Sequence, residues 1–401
     1  MTKTPDFTWL EEPRLQAIIS ALKTSGDARF VGGCVRDGLL GQTPFNNDAI
    51  DIDIAVTLTP DDMKRVFDEA GIRWIATGEE HGTLTAVHQG LVVECTTLRA
   101  DIDTDGRRAK VRFTEDWDQD WRRRDFTINA LYADQSGTIY DPAGGQADLA
   151  QGRVRFIGDA ATRIREDALR ILRFFRFSAR FAKTFDQTAL HAIHSCQDLM
   201  DGLSRERVWL ELSRTFSAPR APEAFELAKD LGVLERIVEG EAQTDDFARL
   251  PDSARLNSAL SVASLWPRRS PEMLRRAFKP SADFLETYAN IEKAAVKLAQ
   301  GTSAIRLLYD FGRTISLMAA DLQDARGQKI SDAQRQDLAT LSIPKLPISG
   351  KNLISRGVQP GPNLGELMTR FEERWLDAGA PSEPSVVDAL LSDVLSGQTA
   401  R

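Results

Sequence analysis

Hydrophobic and polar positions change rhythm once along this chain, near residue 155. Upstream, short runs such as ARFVGG, AIDIDIAV, TLTAVHQGLVVECTTLR and TINALYAD are rich in β-branched residues. They are separated by turn signals, Gly90 and Ser136-Gly137 among them. Pro60 closes the second run and opens the helical stretch DDMKRVFDEAG, a first-turn position where its missing N–H costs nothing. Downstream almost everything has helical period, as in RIREDALRILRFFRFSARFA, RERVWLELSRTF and AIRLLYDFGRTISLMAADLQ. The pattern predicts an α+β fold: a mixed or antiparallel sheet with helices over residues 1–155, then all-helical segments at 156–216 and 217–401. Pro344 and Pro347 in IPKLPISG predict a later joint.

One of the strand runs carries charge where a core strand should not. Side chains two apart on a strand share a face, so Asp51 and Asp53 point one way while Ile50, Ile52 and Ile54 point the other. Two carboxylates that close repel unless a cation sits between them, and Mg²⁺ takes such oxygen ligands. A lone Asp-x-Asp also suits a solvent-facing edge. Glu94 interrupts the apolar run LVVECTTLR, either as a surface residue or as a third carboxylate brought to the same metals by a neighbouring strand. Gly32 and Gly33 stand between a β-like run and the helical CVRDGLLG. That turn lets backbone N–H groups approach a phosphate, with Arg36 one turn in.

Composition narrows the class. The chain has 401 residues, 42% hydrophobic and 27% charged, as a soluble globular protein of two or three domains does. No apolar run is long enough to span a bilayer, and the N-terminus MTKTPDFTWLEEP lacks the features of a signal peptide, so a cytoplasmic location is expected. Cys34, Cys95 and Cys196 suggest reduced thiols rather than a disulfide framework or a zinc site, and His191 and His194 read as helical residues. The net charge of −8 confines any RNA contact to local basic patches. One such patch is residues 151–185, with nine Lys/Arg against three Asp/Glu.

Taken in order and spacing, GGCVRDGLLG, DID, RRRDFTINALYAD and REDALRILRFFRFSARF resemble the class II tRNA nucleotidyltransferases. These are the CCA-adding enzymes and the bacterial poly(A) polymerases, which share a DNA polymerase β-like head. The resemblance covers Phe30 to Phe181 well and continues loosely as RERVWLELSRTF and PISGKNL. It implies a nucleotidyltransferase head at 1–155, a helical neck that recognises the base at 156–216, and a tRNA-binding body and tail at 217–401. It implies a metal-binding pair at Asp51 and Asp53, with Glu94 as a further catalytic carboxylate, and triphosphate contacts at Gly33 and Arg36. Arg124 falls on a nucleotide-contacting arginine and Asp125 on the residue that senses the ribose 2′-hydroxyl. Asp103–Phe113 stands in the place of a flexible loop, and Asn352 stands where an Asp is usual. No His-Asp dipeptide occurs, so an appended phosphohydrolase domain is not indicated.

The helix expected from about Thr162 carries the sharpest chemistry. Ile164, Ala168, Ile171, Leu172, Phe175 and Ala179 form a core-facing stripe, opposite a run of arginines. Phe174 and Phe177 fall among those arginines and are expected to pack against the head, with base stacking as the other reading. Asp167 and Arg170 suit a helical ion pair, and they also resemble the family's base-reading pair. Cytosine and adenine each present an exocyclic amine beside a ring-nitrogen acceptor, which a carboxylate and a guanidinium match; uracil and guanine do not. Arg173 and Arg176 stand at further nucleotide-binding positions. The implied reaction is attack of a tRNA 3′-hydroxyl on CTP or ATP with loss of pyrophosphate, supported by two Mg²⁺ ions. Poly(A) polymerases, and enzymes that add only CC or only A, share this head; the former tend to carry basic extensions, which this acidic chain lacks. A non-catalytic RNA-binding protein is the third reading. No membrane and no obligate protein partner is evident.

Overall fold

The computed structural model describes residues 5–46, 49–50, 52–103 and 110–396. Its strands are β1 (Ala28–Val31), β2 (Phe45–Asn46), β3 (Ala49–Ile50), β4 (Asp53–Val56), β5 (Arg73–Gly78), β6 (Thr83–His88), β7 (Leu91–Thr97), β8 (Arg99–Asp103), β9 (Lys110–Phe113), β10 (Tyr132–Ala133) and β11 (Ile139–Tyr140). Seven of them form one sheet in the order β11-β10-β1-β4-β7-β6-β5. Neighbours run antiparallel except β4 and β7, which are parallel, so the sheet is mixed. The two-residue turn between β6 and β7 has positive φ at both Gln89 (47°) and Gly90 (82°), a backbone whose twist suits a tight hairpin.

One face of the sheet packs against helices α1 (Pro13–Leu22), α2 (Gly33–Leu39) and α3 (Pro60–Glu69). Ile18, Leu22, Val35, Phe67, Ile54 and Cys95 meet there in a single apolar cluster. Thr59 caps α3 by accepting from the Asp62 N–H, and Pro60 occupies its first turn as the sequence predicts. Along β7, Leu91, Val93 and Cys95 are buried while Val92 and Glu94 are exposed, the alternation of a half-covered strand. On the opposite face α4 (Trp117–Arg122) lays Trp117 and Trp121 over Val31, Ala55 and Tyr132.

Three expectations are corrected here. The strand expected to carry both aspartates starts only at Asp53; Ile50 ends the separate β3, and Asp51 lies outside the described residues. Asp103–Phe113 is not wholly loop, because Lys110–Phe113 pairs with Arg99–Asp103, while residues 104–109 lie outside the described residues. The helix expected from Thr162 is two helices. After α5 (Gly145–Gln151) come α6 (Ala160–Glu166) and α7 (Arg170–Phe181), broken at Asp167, whose φ of −154° and ψ of 104° are extended. The Asp167 carboxylate accepts the Leu169 N–H, and this local bond competes with the helical backbone.

Helix α7 is buried on more than one side. Ile171, Leu172, Phe175 and Ala179 are buried as the stripe predicts, and so are Phe174 and Phe177, which meet Phe126 and Phe156 from outside the helix. Helices α8 (Gln187–Cys196), α9 (Arg205–Phe216) and α10 (Ala221–Asp230) follow, and α9 and α10 both pack on α7. The chain divides into two compact units, Met1–Ile237 and Val238–Arg401. The second is helical. Helices Ala282–Ala299 and Ala304–Ala325 pack together, the latter kinked at Gly312 (φ 73°). Around Pro344 and Pro347 the backbone is irregular, and Asn352 accepts the Ser349 N–H at the start of the next helix, a role an aspartate would serve equally. No helix among the described residues is long and apolar enough to cross a membrane.

Phe174 has no solvent exposure and touches Phe126, Phe156, Phe175 and Phe185. Phe174→Ala is expected to cost about 3–5 kcal/mol of stability, read by chemical denaturation, because the surrounding aromatic cluster cannot collapse into the space.

Candidate active site

Gly32 has φ 73° and ψ −117°, a backbone that L-residues with side chains avoid, and it turns the chain from β1 into α2. That turn sets Gly32 and Gly33 at the edge of a cavity of about 390 Å³. Asp53 reaches the same cavity from the first residue of β4. From the segment after α4 come Arg124, Asp125 and Asn129, from the break between helices Asp167, and from α7 Arg170, Arg173, Arg176 and Phe177. Every described site residue expected from the sequence lines this cavity except Glu94. Glu94 is the Cα partner of Asp53 on the adjacent parallel strand, so the two side chains share a sheet face. Asp51 lies outside the described residues.

Buried carboxylates hold the arginines in place. Asp125 accepts from Arg173 at 2.6 Å, from Asn129 Nδ2 at 3.0 Å and from the Phe126 N–H at 2.8 Å. Burial would raise its pKa, but Arg173 and these bonds outweigh burial and hold it below the usual carboxylate range. Glu211, on α9 and almost fully buried, accepts from Arg176 Nε at 2.5 Å and lies 3.6 Å from Arg173. Burial lowers the pKa of Arg176 and would lower that of Arg173, which Asp125 and Glu211 instead carry upward. Asp120 on α4 pairs with both Arg123 and Arg124 and accepts from Tyr132 Oη at 2.8 Å. Burial alone would raise Asp120; the two arginines drive it well below the ordinary range.

The pair read as the base recogniser does not pair with itself. Asp167 Oδ2 accepts from Arg207 at 2.6 Å, whereas Arg170 pairs with Glu166 and donates to the carbonyls of Arg163 (2.8 Å) and Arg123 (3.0 Å). The helical Asp167–Arg170 ion pair is therefore not formed, because the chain leaves the helix between them. Arg36 is buried, donates to Asn129 Oδ1 at 2.8 Å and lies 4.3 Å from the Phe181 ring centroid. Cys34, beside the site, is buried; burial and the nearby Asp53 push its thiol up to about 12, which disfavours the thiolate.

Sequence reasoning missed Asn129, Glu211 and Arg214. Asn129 sits four residues beyond Asp125 and bridges it to Arg36. Glu211 occupies the buried stripe Val208, Leu212, Thr215, Phe216 of α9, and a carboxylate at a position in register with Val208, Leu212 and Phe216 was the available signal. Arg214 lines the cavity and is exposed, with no ion pair or hydrogen bond among the described residues.

Among the described residues no three metal-ligating side chains cluster. Asp53 and Glu94, as adjacent oxygen donors on one face, fit a hard divalent cation held with the help of substrate phosphates.

Family models match in three places. The poly(A) polymerase head domain covers residues 28–155, the probable RNA- and SrmB-binding site of polymerase A covers 184–243, and the tRNA nucleotidyltransferase domain 2 covers 250–390. The mitochondrial CCA tRNA nucleotidyltransferase 1 of Mus musculus is 32% identical over 97% of this chain and 92% of its own length. The CCA-adding enzyme of Streptococcus sanguinis is 31% identical over 94% of this chain and 96% of its own. Among solved structures, the CCA-adding enzyme of Bacillus stearothermophilus in complex with CTP superposes with a TM-score of 0.80 at 26% identity, covering 97% of this chain and 99% of that one. With identities above 30% sustained across nine-tenths of its length, the chain belongs to the class II tRNA nucleotidyltransferases, the family of the CCA-adding enzymes.

Proposed function

We propose that this protein adds C, C and A to the 3′ end of tRNA, using CTP and ATP and releasing pyrophosphate, without a nucleic-acid template. The observation that carries the reading is the gathering of Asp53, Asp167 and Arg170 on one arginine-rich cavity beside the glycine turn. Residues 1–155 serve as the transferase head, 156–216 as the base-reading neck and 217–401 as the tRNA-binding body and tail.

Each group has a task set by its chemistry. Asp53 and Glu94, with Asp51, would hold two Mg²⁺ ions. Bound there, the metal supplies a lowered pKa for the attacking hydroxyl and charge stabilisation on the leaving oxygens. The Gly32-Gly33 turn admits the triphosphate close to the backbone, while Arg36, Arg176 and the unengaged Arg214 balance its charge. Arg124, fixed by Asp120 and Tyr132, and Asp125, fixed by Asn129, contact the sugar and phosphates.

Asp167 accepts from the exocyclic amine of cytosine or adenine, and Arg170 donates to the ring nitrogen. Arg170 is anchored by two backbone carbonyls and Glu166, so its guanidinium plane is set before the nucleotide arrives. Uracil and guanine would face Asp167 with a carbonyl and Arg170 with an N–H, leaving buried polar groups unpaired. The reaction is assigned to a cytoplasmic, reducing compartment, a reading supported by the three free, buried cysteines.

Incubation with tRNAs ending before CCA, after C and after CC, each with a single NTP, tests the activity. Incorporation of C, C and A at the three ends in turn is expected; long runs of A would assign a poly(A) polymerase, and C alone or A alone a partial enzyme. Asp53→Ala is expected to lower transfer by about a thousandfold or more while tRNA binding and folding persist, and turnover near that of the wild type would remove the metal role. Glu94→Gln tests the second strand, and a small effect there would leave Glu94 as a surface residue.

Asp167→Ala addresses base choice. Loss of one charge-assisted hydrogen bond is expected to weaken correct incorporation by about ten- to a hundredfold, with discrimination against UTP and GTP falling alongside. Unchanged ratios among the four nucleotides would mean that Asp167 only shapes the helix break.

A further inference from the structure

The C-terminal unit holds a second cavity, of about 490 Å³, that shares no residue with the transfer site. Its walls include Pro271, Tyr288, Val296 and Phe311, and its rim carries Arg268, Arg269 and Lys293. The turn that presents the two arginines is built against backbone preference. Arg268 has φ 57°, a left-handed conformation that disfavours a residue with a side chain. Two buried residues of helix Ala282–Ala299 hold the turn from beneath. Glu292 accepts the Arg268 N–H at 2.9 Å, and Tyr288 Oη accepts the Arg269 N–H at 2.8 Å while donating to the Trp266 carbonyl at 3.0 Å. Glu292 is in turn fixed by Arg326 at 2.7 Å.

The cations so placed are under-used. Arg269 Nε is buried with no hydrogen-bond partner, and its Nη2 reaches only the Glu241 carbonyl, at 3.5 Å. The side chains of Arg268 and Lys293 are exposed and make no ion pair among the described residues. Residues 268–297 carry seven Lys/Arg against four Asp/Glu in a chain whose net charge is −8. Lys297, which also lines the cavity, is paired with Asp310 at 2.6 Å, so the rim's available charge is that of Arg268, Arg269 and Lys293. An apolar space in which Phe311 is the half-buried aromatic wall, beside those cations, suits a flat base that stacks, joined to phosphates that pair with the rim.

We infer that this cavity receives an unstacked nucleotide from a loop of the RNA whose 3′ end is extended, with flanking phosphates on Arg268 and Lys293. The inference rests on the RNA substrate proposed above. A loop is required because bases within a duplex are stacked and closed to such a pocket. A free nucleoside triphosphate fits less well, since Glu292, the carboxylate lining the cavity, is committed to Arg326 and cannot help hold a metal.

The test uses the full chain, a tRNA transcript lacking CCA, and a two-stranded acceptor-stem duplex with the same 3′ end and no loop. Val296 is 40% exposed, so Val296→Trp fills the cavity without burdening the core. This variant, and separately Arg268→Ala with Lys293→Ala, are expected to raise Kd and KM for the tRNA about tenfold. Kd for the duplex and KM for CTP should stay as in wild type. Equal weakening for tRNA and duplex, unchanged tRNA binding, or a change confined to KM for CTP or ATP would each overturn the inference. Failure of the wild type to extend any RNA would refute the transferase reading instead, while the binding comparison would still decide for or against the cavity.

Discussion

Buried carboxylates opposite crowded arginines are the interaction on which the N-terminal unit's cavity depends. Arg36, Arg124, Arg170, Arg173, Arg176 and Arg214 line one cavity of about 390 Å³, and like charges that close would drive the helices apart. Asp125, Glu211 and Asp120 prevent it, each largely excluded from water and each set against one or two guanidinium groups. Such ion pairs add little net stability, because desolvation offsets most of the attraction. Their effect is positional: the guanidinium groups are held in place, and in the proposed reaction the triphosphate would meet a surface that needs no reorganisation.

The break between α6 and α7 has a comparable consequence. In an unbroken helix Asp167 and Arg170 would lie on one face, three residues apart, and would neutralise each other. Because Asp167 leaves the helical path, its carboxylate turns to Arg207 while Arg170 turns to Glu166 and two backbone carbonyls. In the proposed reaction this separation lets one side chain accept and the other donate along a base edge. The aromatic cluster of Phe126, Phe156, Phe174 and Phe177 fixes α7 against the segment after α4 and so constrains where those two residues stand relative to Asp53.

Acidity of the whole chain makes each basic locality informative. Positive charge is concentrated along residues 151–185 and again around Arg268 to Lys297, in two different compact units, while the net charge stays at −8. A polyanion then meets attraction only at chosen places, which favours register over indiscriminate adhesion.

Much of this was legible in the residues. The switch from a period of two to a helical period near residue 155 comes from local sterics and burial, which a sequence carries directly. The glycine pair, the aspartate at the strand edge and the arginine-rich helix declared themselves through residue types that are costly in a core. What the sequence could not determine was which charge meets which. Asp167 and Arg170 stand three apart yet find partners elsewhere, Arg207 lies forty residues from Asp167, and Glu211 reaches back to Arg173 and Arg176. Nor could spacing say that Glu94 would register beside Asp53, since a parallel pairing between distant strands is chosen by the sheet as a whole. Local pattern is written in near neighbours along the chain, whereas charge partners and strand register are decided by which elements the shared core brings together, and only the tertiary structure decides that.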